Sequence, residues 1–505
     1  MKYRPLMILG TGSDVGKSIL TAALCRIFRQ EGIRVAPFKA QNMALNSFIT
    51  PEGGEMGRAQ VVQAQAAGLT PHVDMNPILL KPSSEVGSQV IVHGKVYGNL
   101  AARDYYAHKP KLVRQVMASF RRLAAAYDLI VLEGAGSAVE LNLKKNDLVN
   151  FSMAKRAGAA VLLAADIDRG GVFAATIGTW HLLTRTERRL LQGFVINKFR
   201  GDISLFDSGV EIIEARTGKK VLGVVPYIKD LWLPQEDSVA LERKMGQVQE
   251  TAAGGLQVGV IRLPHISNYT DFDPLEREAG VAVRYLDHHS QLAGLDVVIL
   301  PGTKNTIADS IYLQRTGLGK RIQDFAHEGG RVIGICGGFQ ILGRMVRDPL
   351  GVEGAVPEAP GLGLLPLVTT MAGEKTTTQV EARFLGLGEE QPRVRGYEIH
   401  MGLTEPVGEG GPVFALDRRG NELETLTDGW ASPDGRIWGT YIHGLFDRDA
   451  VRRAWLAGLR REKGLEEGSF KEYDFETFQE EQFDRLAQMV RDCVDVDFLM
   501  KVIQT

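Results

Sequence analysis

The chain has 505 residues, 44% hydrophobic and 24% charged, which suits about three domain-sized units and excludes extended disorder. Lysine plus arginine number 59 and aspartate plus glutamate 61, and the resulting charge of −2 gives no electrostatic basis for a nucleic-acid or anionic-membrane partner. The three cysteines, Cys25, Cys336 and Cys493, lie far apart, which excludes a disulfide scaffold and a cysteine-based zinc site.

The first apolar run, residues 6–9, ends at a glycine-rich turn and is too short for a secretory leader. The run at 159–165 is too short to span a bilayer, so a cytoplasmic protein is expected. In the first half, short apolar runs alternate with amphipathic stretches, the pattern of a parallel sheet with crossover helices. Strands are expected at 6–9, 34–38, 129–132, 160–164, 193–196 and 221–225, with helices at 17–30, 57–67, 105–125 and 172–183. A polar stretch that closes on Ala252-Ala253-Gly254-Gly255 has linker composition. A second α/β series follows, with strands at 257–263, 281–285, 297–300 and 331–335 and a helix at 319–328. Prolines and glycines make 348–366 irregular, 448–463 is helical in pattern, and the acidic C-terminal stretch holds a helix at 480–489. The expected fold class is α/β: two doubly wound α/β domains in series, residues 1–232 and 256–460, with a linker at 233–255 and a C-terminal helical extension at 461–505.

Gly10-Thr11-Gly12-Ser13-Asp14-Val15-Gly16-Lys17-Ser18 follows the first strand and opens a helix. Glycines here let backbone N–H groups close around phosphates at a helix N-terminus. Gly12, Asp14 and Gly16 shape that nucleotide-binding loop, Lys17 is placed for the β- and γ-phosphates, and Ser18 for Mg²⁺. The loop is one residue longer than the common form. Glu133 ends a buried strand beside Gly134 and Gly136, where an open α/β sheet binds ligands, and is the expected second metal ligand. Lys39 and Asn197 end two further strands at the same edge, Lys39 to neutralise transferring phosphate and Asn197 to read the adenine edge.

Arg331-Val332-Ile333-Gly334-Ile335-Cys336-Gly337-Gly338-Phe339-Gln340 reads as strand, sharp turn and helix. Its glycines permit the strained backbone of a nucleophile elbow, and the helix start favours thiolate. His443, after another expected strand, is the candidate base for Cys336. Oxyanion donors are expected from Gly337 and from Gly302 in Pro301-Gly302-Thr303.

The second half resembles the class I glutamine amidotransferases, in the branch attached to corrin-amidating enzymes. The first resembles the dethiobiotin-synthetase type of P-loop enzyme, with its lengthened loop and Glu133-Gly134-Ala135-Gly136. Together they are similar to the corrin-amidating amidoligases over nearly the whole chain. The resemblance rests on Phe38-Lys39-Ala40-Gln41-Asn42-Met43-Ala44-Leu45-Asn46-Ser47, Ala165-Asp166-Ile167-Asp168-Arg169-Gly170-Gly171 and Asn197-Lys198-Phe199-Arg200-Gly201-Asp202. It rests equally on Leu263-Pro264-His265-Ile266-Ser267-Asn268-Tyr269-Thr270-Asp271-Phe272-Asp273 and Gly396-Tyr397-Glu398-Ile399-His400-Met401-Gly402.

That resemblance implies a P-loop NTPase-like domain followed by an amidotransferase-like one. It implies amidation of the b, d, e and g carboxylates of adenosylcobyrinic acid a,c-diamide, with ATP as co-substrate, Mg²⁺, and L-glutamine as nitrogen source. Cobalt enters only within the corrinoid substrate, and no tightly bound cofactor is expected. Ammonia released at Cys336 would reach the acyl phosphate by a sheltered route. Lys144-Lys145-Asn146-Asp147 lies where a polyanionic corrin would meet the synthetase site, which makes Asp147 a catalytic candidate. Class I enzymes place a Glu two residues after the His; here that residue is Leu445, so Cys336–His443 is a dyad with an unassigned orienter. The competing readings are the sister enzyme that makes the a,c-diamide, and a P-loop ATPase with a degenerate amidotransferase half.

Overall fold

The computed structural model describes residues 1–82, 87–234, 236, 255–386, 391–420, 426–465 and 473–505. Most of the expected linker therefore lies outside the described residues. The chain forms two compact units, and neither is one continuous segment. The first comprises Met1–Met43, Met56–Pro234 and Gln479–Thr505; the second comprises Ala44–Glu55 and Gln235–Phe478. This differs from the expected serial boundaries in two places. Residues 44–55 leave the first domain for the second unit, and most of the supposed C-terminal extension belongs to the first.

In the first unit the six expected strands are β1 (Leu6–Gly10), β2 (Val35–Phe38), β3 (Leu129–Glu133), β4 (Ala160–Asp166), β5 (Leu191–Phe199) and β6 (Lys220–Pro226). They form one parallel sheet in the order β6-β5-β4-β1-β3-β2. Every residue of β1, β3 and β4 is buried, as a sheet covered on both faces requires. Register brings Glu133 opposite Ile8 and Asn197 opposite Asp166, so the strand ends converge where the P-loop leaves β1. Helix α1 (Lys17–Gln30) follows that loop, and α2 (Arg58–Ala66) packs against it.

The helices Phe475–Cys493 and Val496–Gln504 explain the reassignment of the C-terminus. Phe483, Leu486, Val490, Leu499 and Ile503 share one apolar cluster with Ile8, Leu20, Leu24, Leu162 and Val195. Glu480 and Asp484 pair with Arg26 of α1 at 2.8 and 2.7 Å. The amphipathic pattern was legible; that its apolar face closes the first sheet's core was not.

The second unit holds β7 (Leu256–Ile261), β8 (Val281–Leu286), β9 (Val297–Leu300) and β10 (Arg331–Ile335). The long strands β11 (Leu367–Phe384) and β12 (Arg393–Pro406) precede β13 (Trp430–Ala431) and β14 (Ile437–Thr440). The main sheet runs β8-β7-β9-β10-β14-β13, parallel except for β13. β11 and β12 pair antiparallel in a separate sheet and carry the Gly396–Gly402 motif.

Leu486 is fully buried. Leu486→Ala is expected to lower the unfolding free energy by about 2–5 kcal/mol, read by urea denaturation of the full chain. A chain that ends at Phe478 is expected to be recovered as insoluble protein.

Candidate functional site

In the first unit, Gly16 starts α1 at φ 93°, and a Cβ there would lie 2.1 Å from Asn197 Nδ2, so only glycine fits. Lys17 Nζ donates to the carbonyls of Gly12 and Gly136, at 2.8 and 3.1 Å. These two bonds bring the phosphate loop and the Glu133-Gly134-Ala135-Gly136 segment to one ammonium. Ser18 Oγ donates to Glu133 Oε1 at 2.9 Å, and Lys39 Nζ donates to the same oxygen at 2.8 Å. Gln63 Nε2 reaches Glu133 Oε2 at 2.5 Å. Glu133 is 1% exposed. Burial pushes its pKa up, but the charge and hydrogen bond of Lys39, the Gln63 amide and the charge of Lys17 outweigh that and hold it below the usual carboxylate range.

Sequence reasoning found Lys17, Ser18, Lys39 and Glu133, and the structure brings all four together. Gln63 was missed. Its signal was a pair of glutamines three residues apart, Gln60 and Gln63, both fully buried on α2. The side-chain amide of Asn197, expected to face adenine, donates to Val15 O at 2.9 Å and holds the loop. Asp14 pairs with Arg169 at 3.0 Å, and its carbonyl accepts from Lys198 Nζ.

Asp147 is engaged locally. One carboxylate oxygen accepts from the N–H groups of Val149 and Asn150 at 3.0 and 2.9 Å, and the other from Ser152 at 3.0 Å. These bonds fix the turn that leads into the helix Phe151–Ala157. The Asn150 side chain bonds Ala135 N–H, Ala135 O and Ser137 O, so this turn also fixes the loop that follows Glu133.

In the second unit the chain turns sharply after β10. Cys336 sits at φ 51°, ψ −110°, a conformation that costs a non-glycine residue about 1–3 kcal/mol. A Cβ on Gly338 would lie 2.0 Å from Leu300 O, which enforces glycine in the turn. Cys336 Sγ donates to Ile399 O at 3.4 Å and lies near enough to the His443 ring to raise its pKa. Gly337 packs against Thr303, and a Cβ on Gly302 would lie 3.1 Å from His443 Cε1, so both expected oxyanion loops border the pair.

The missing orienter is Asp271. His443 Nδ1 lies 2.7 Å from Asp271 Oδ2, and Gly444 N–H donates to Asp271 Oδ1 at 3.1 Å. The two residues are 172 apart in sequence, whereas Leu445, at the usual position, is buried core. Asp271 stood within a motif already singled out, but no spacing rule ties it to His443. Burial pushes the His443 pKa down; the charges of Asp271 and Cys336 and their hydrogen bonds overcome it and raise the value to about 10.

Among the described residues no helix is long and apolar enough to cross a membrane. Residues 6–239 match the CobQ/CobB/MinD/ParA nucleotide binding domain, and residues 257–451 match the CobB/CobQ-like glutamine amidotransferase domain. A nucleotide-binding half joined to a glutamine amidotransferase half defines a glutamine-dependent amidoligase. The chain is 53% identical to the cobyric acid synthase of Syntrophobacter fumaroxidans across 99% of both chains. It is 49% identical to that of Sorangium cellulosum (99% of this chain, 98% of the other) and 51% to that of Moorella thermoacetica (92% and 90%). The chain belongs to the cobyric acid synthase family.

Nitrogen NMR of the histidine-labelled chain, with His443→Gln for assignment, is expected to show the His443 ring titrating near pH 10. Asp271→Asn removes the opposing charge, so the midpoint must move to lower pH.

Proposed function

We propose that the chain amidates the b, d, e and g carboxylates of adenosylcobyrinic acid a,c-diamide with ATP and glutamine. The observation that carries this reading is the identity to cobyric acid synthases along essentially the whole chain, with a P-loop cluster in one unit and a Cys–His–Asp set in the other.

At the second unit's site, Cys336 attacks the glutamine carboxamide carbon with its proton already passed to His443, whose raised pKa keeps the ring protonated at neutral pH. Backbone N–H groups of Gly337 and the Gly302 loop meet the oxyanion. His443 returns the proton to the departing nitrogen, ammonia leaves, and water then hydrolyses the thioester to glutamate. Asp271 holds the imidazole in one orientation and favours its protonated form between these transfers.

At the first unit's site, a substrate carboxylate attacks the γ-phosphorus of ATP and ADP leaves. Lys17 and the loop N–H groups stabilise the charge on the transferring phosphoryl group. The acyl phosphate gives ammonia a carbonyl with a good leaving group, and inorganic phosphate departs as the amide forms. The Ser18 hydroxyl and the ionised Glu133 carboxylate are hard oxygen donors 2.9 Å apart, and they suit Mg²⁺. Bound there, the ion would supply charge neutralisation at the phosphates. Lys39 adds a second cation beside Glu133, and Asn197 shapes the loop around the nucleotide. The free thiols fit a cytoplasmic setting.

Mass spectrometry of the corrinoid after incubation with Mg-ATP and glutamine tests this directly. Each OH to NH₂ exchange lowers the mass by about one unit, so complete reaction shows four such steps. Cys336→Ala is expected to lose glutamine-dependent amidation and keep it with ammonium. Lys17→Ala is expected to lose both by at least about a hundredfold. An unchanged mass, with an active glutaminase, refutes this substrate; the a,c-carboxylate acceptor is then the one to assay.

A further inference from the structure

We propose that residues 44–55 are a positioning element for His443, acting through Tyr397. The inference rests on the glutaminase reading of Cys336 and His443. By sequence this segment lies between Lys39 and α2, yet it belongs to the second unit. Ser47, Ile49 and Thr50 expose no surface.

Ser47 closes a small buried circuit. Its N–H donates to Asn268 Oδ1 at 3.1 Å, Asn268 Nδ2 donates to Tyr397 Oη at 3.1 Å, and that hydroxyl donates back to Ser47 O at 3.2 Å. Each member leads to the Cys–His–Asp set. Asn268, at φ 53°, opens the turn Tyr269–Phe272 that carries Asp271. Tyr397 exchanges two backbone hydrogen bonds with His443, at 3.2 and 2.9 Å. Its ring stacks on the imidazole with centroids 5.2 Å apart and planes 18° apart. Phe48 meets the same ring edge-on at 5.2 Å. Ile49 clusters with Tyr397 and Ile399, and the Ile399 carbonyl lies 3.4 Å from Cys336 Sγ.

The far end of the segment is held independently. Thr377 Oγ1 donates to Gly53 O at 2.9 Å, and Lys375 pairs with Glu55 at 2.5 Å. An apolar hairpin would fill this space equally well. A polar circuit, which is costly unless every member is bonded, fixes the angle of the Tyr397 ring and so of the imidazole stacked on it. Tyr397 and Asn268 are positioning residues. They act through His443 and Asp271.

Glutaminase kinetics of the full chain test the proposal. Tyr397→Phe keeps the stacked ring and removes the link to Ser47. Its kcat is expected to fall about 3–10-fold, the worth of one neutral hydrogen bond, with KM for glutamine within about twofold. Tyr397→Leu removes the stack as well and is expected to lose more, so that Phe counts as partial rescue. Thr377→Val loosens the segment without touching Tyr397 and is expected to give a smaller loss, again in kcat alone. It decides the matter if the Tyr397 variants do not fold. Unchanged kcat in Tyr397→Phe, or a loss that falls on KM instead, overturns the proposal. His443→Ala with full glutaminase activity overturns the underlying reading instead.

Discussion

Taking a carboxylate out of water costs several kcal/mol unless charges and donors surround it. Glu133 and Asp271 are both almost wholly buried, and each is the point around which its site is arranged. Glu133 is met by Lys39, Ser18 and Gln63, drawn from a strand end, a helix start and a second helix. Asp271 is met by the His443 ring and the Gly444 N–H. At Glu133 burial raises the pKa, and the partners more than offset it. The reactive groups are thus held by an electrostatic requirement rather than by shape alone.

Both sites occupy the same topological place, the carboxyl ends of parallel strands, and both use a strand-to-helix turn that glycine makes possible. In one, glycine admits backbone N–H groups to phosphate. In the other, neighbouring glycines let a non-glycine residue, Cys336, take a positive φ. The same local geometry serves anion binding in the first unit and nucleophile presentation in the second.

How much of this was legible in the sequence follows from chain distance. The expected strands, the phosphate loop and the cysteine elbow are written in contiguous residues and formed where expected, whereas the long strands β11 and β12 were not foreseen. Lys39 and Glu133 were legible because strand ends have a known place in an open sheet. Asp271 was not, since Leu445 occupies the usual position and the actual partner comes from a separate turn. Gln63 sat unremarked on a helix buried on nearly every side, because a helical pattern does not report what a buried amide must bond. Asp147 was legible as a carboxylate in a charged turn, but its bonds to three backbone N–H groups follow from how that turn folds. Residues 44–55 and 479–505 changed units because tertiary pairing, which no local pattern records, decides where an amphipathic segment docks.

The position of 479–505 bears on how the protein is made. Domains usually fold as units, the N-terminal one first, as the ribosome releases them. Here the first unit's sheet emerges early, but the helices that close its core are translated only after the second unit. The second unit instead needs residues 44–55, which are available from the beginning. The later-written half can therefore be complete while the nucleotide-binding half still exposes an unfinished apolar face, and the docking of residues 479–505 becomes the event that makes the phosphate site whole.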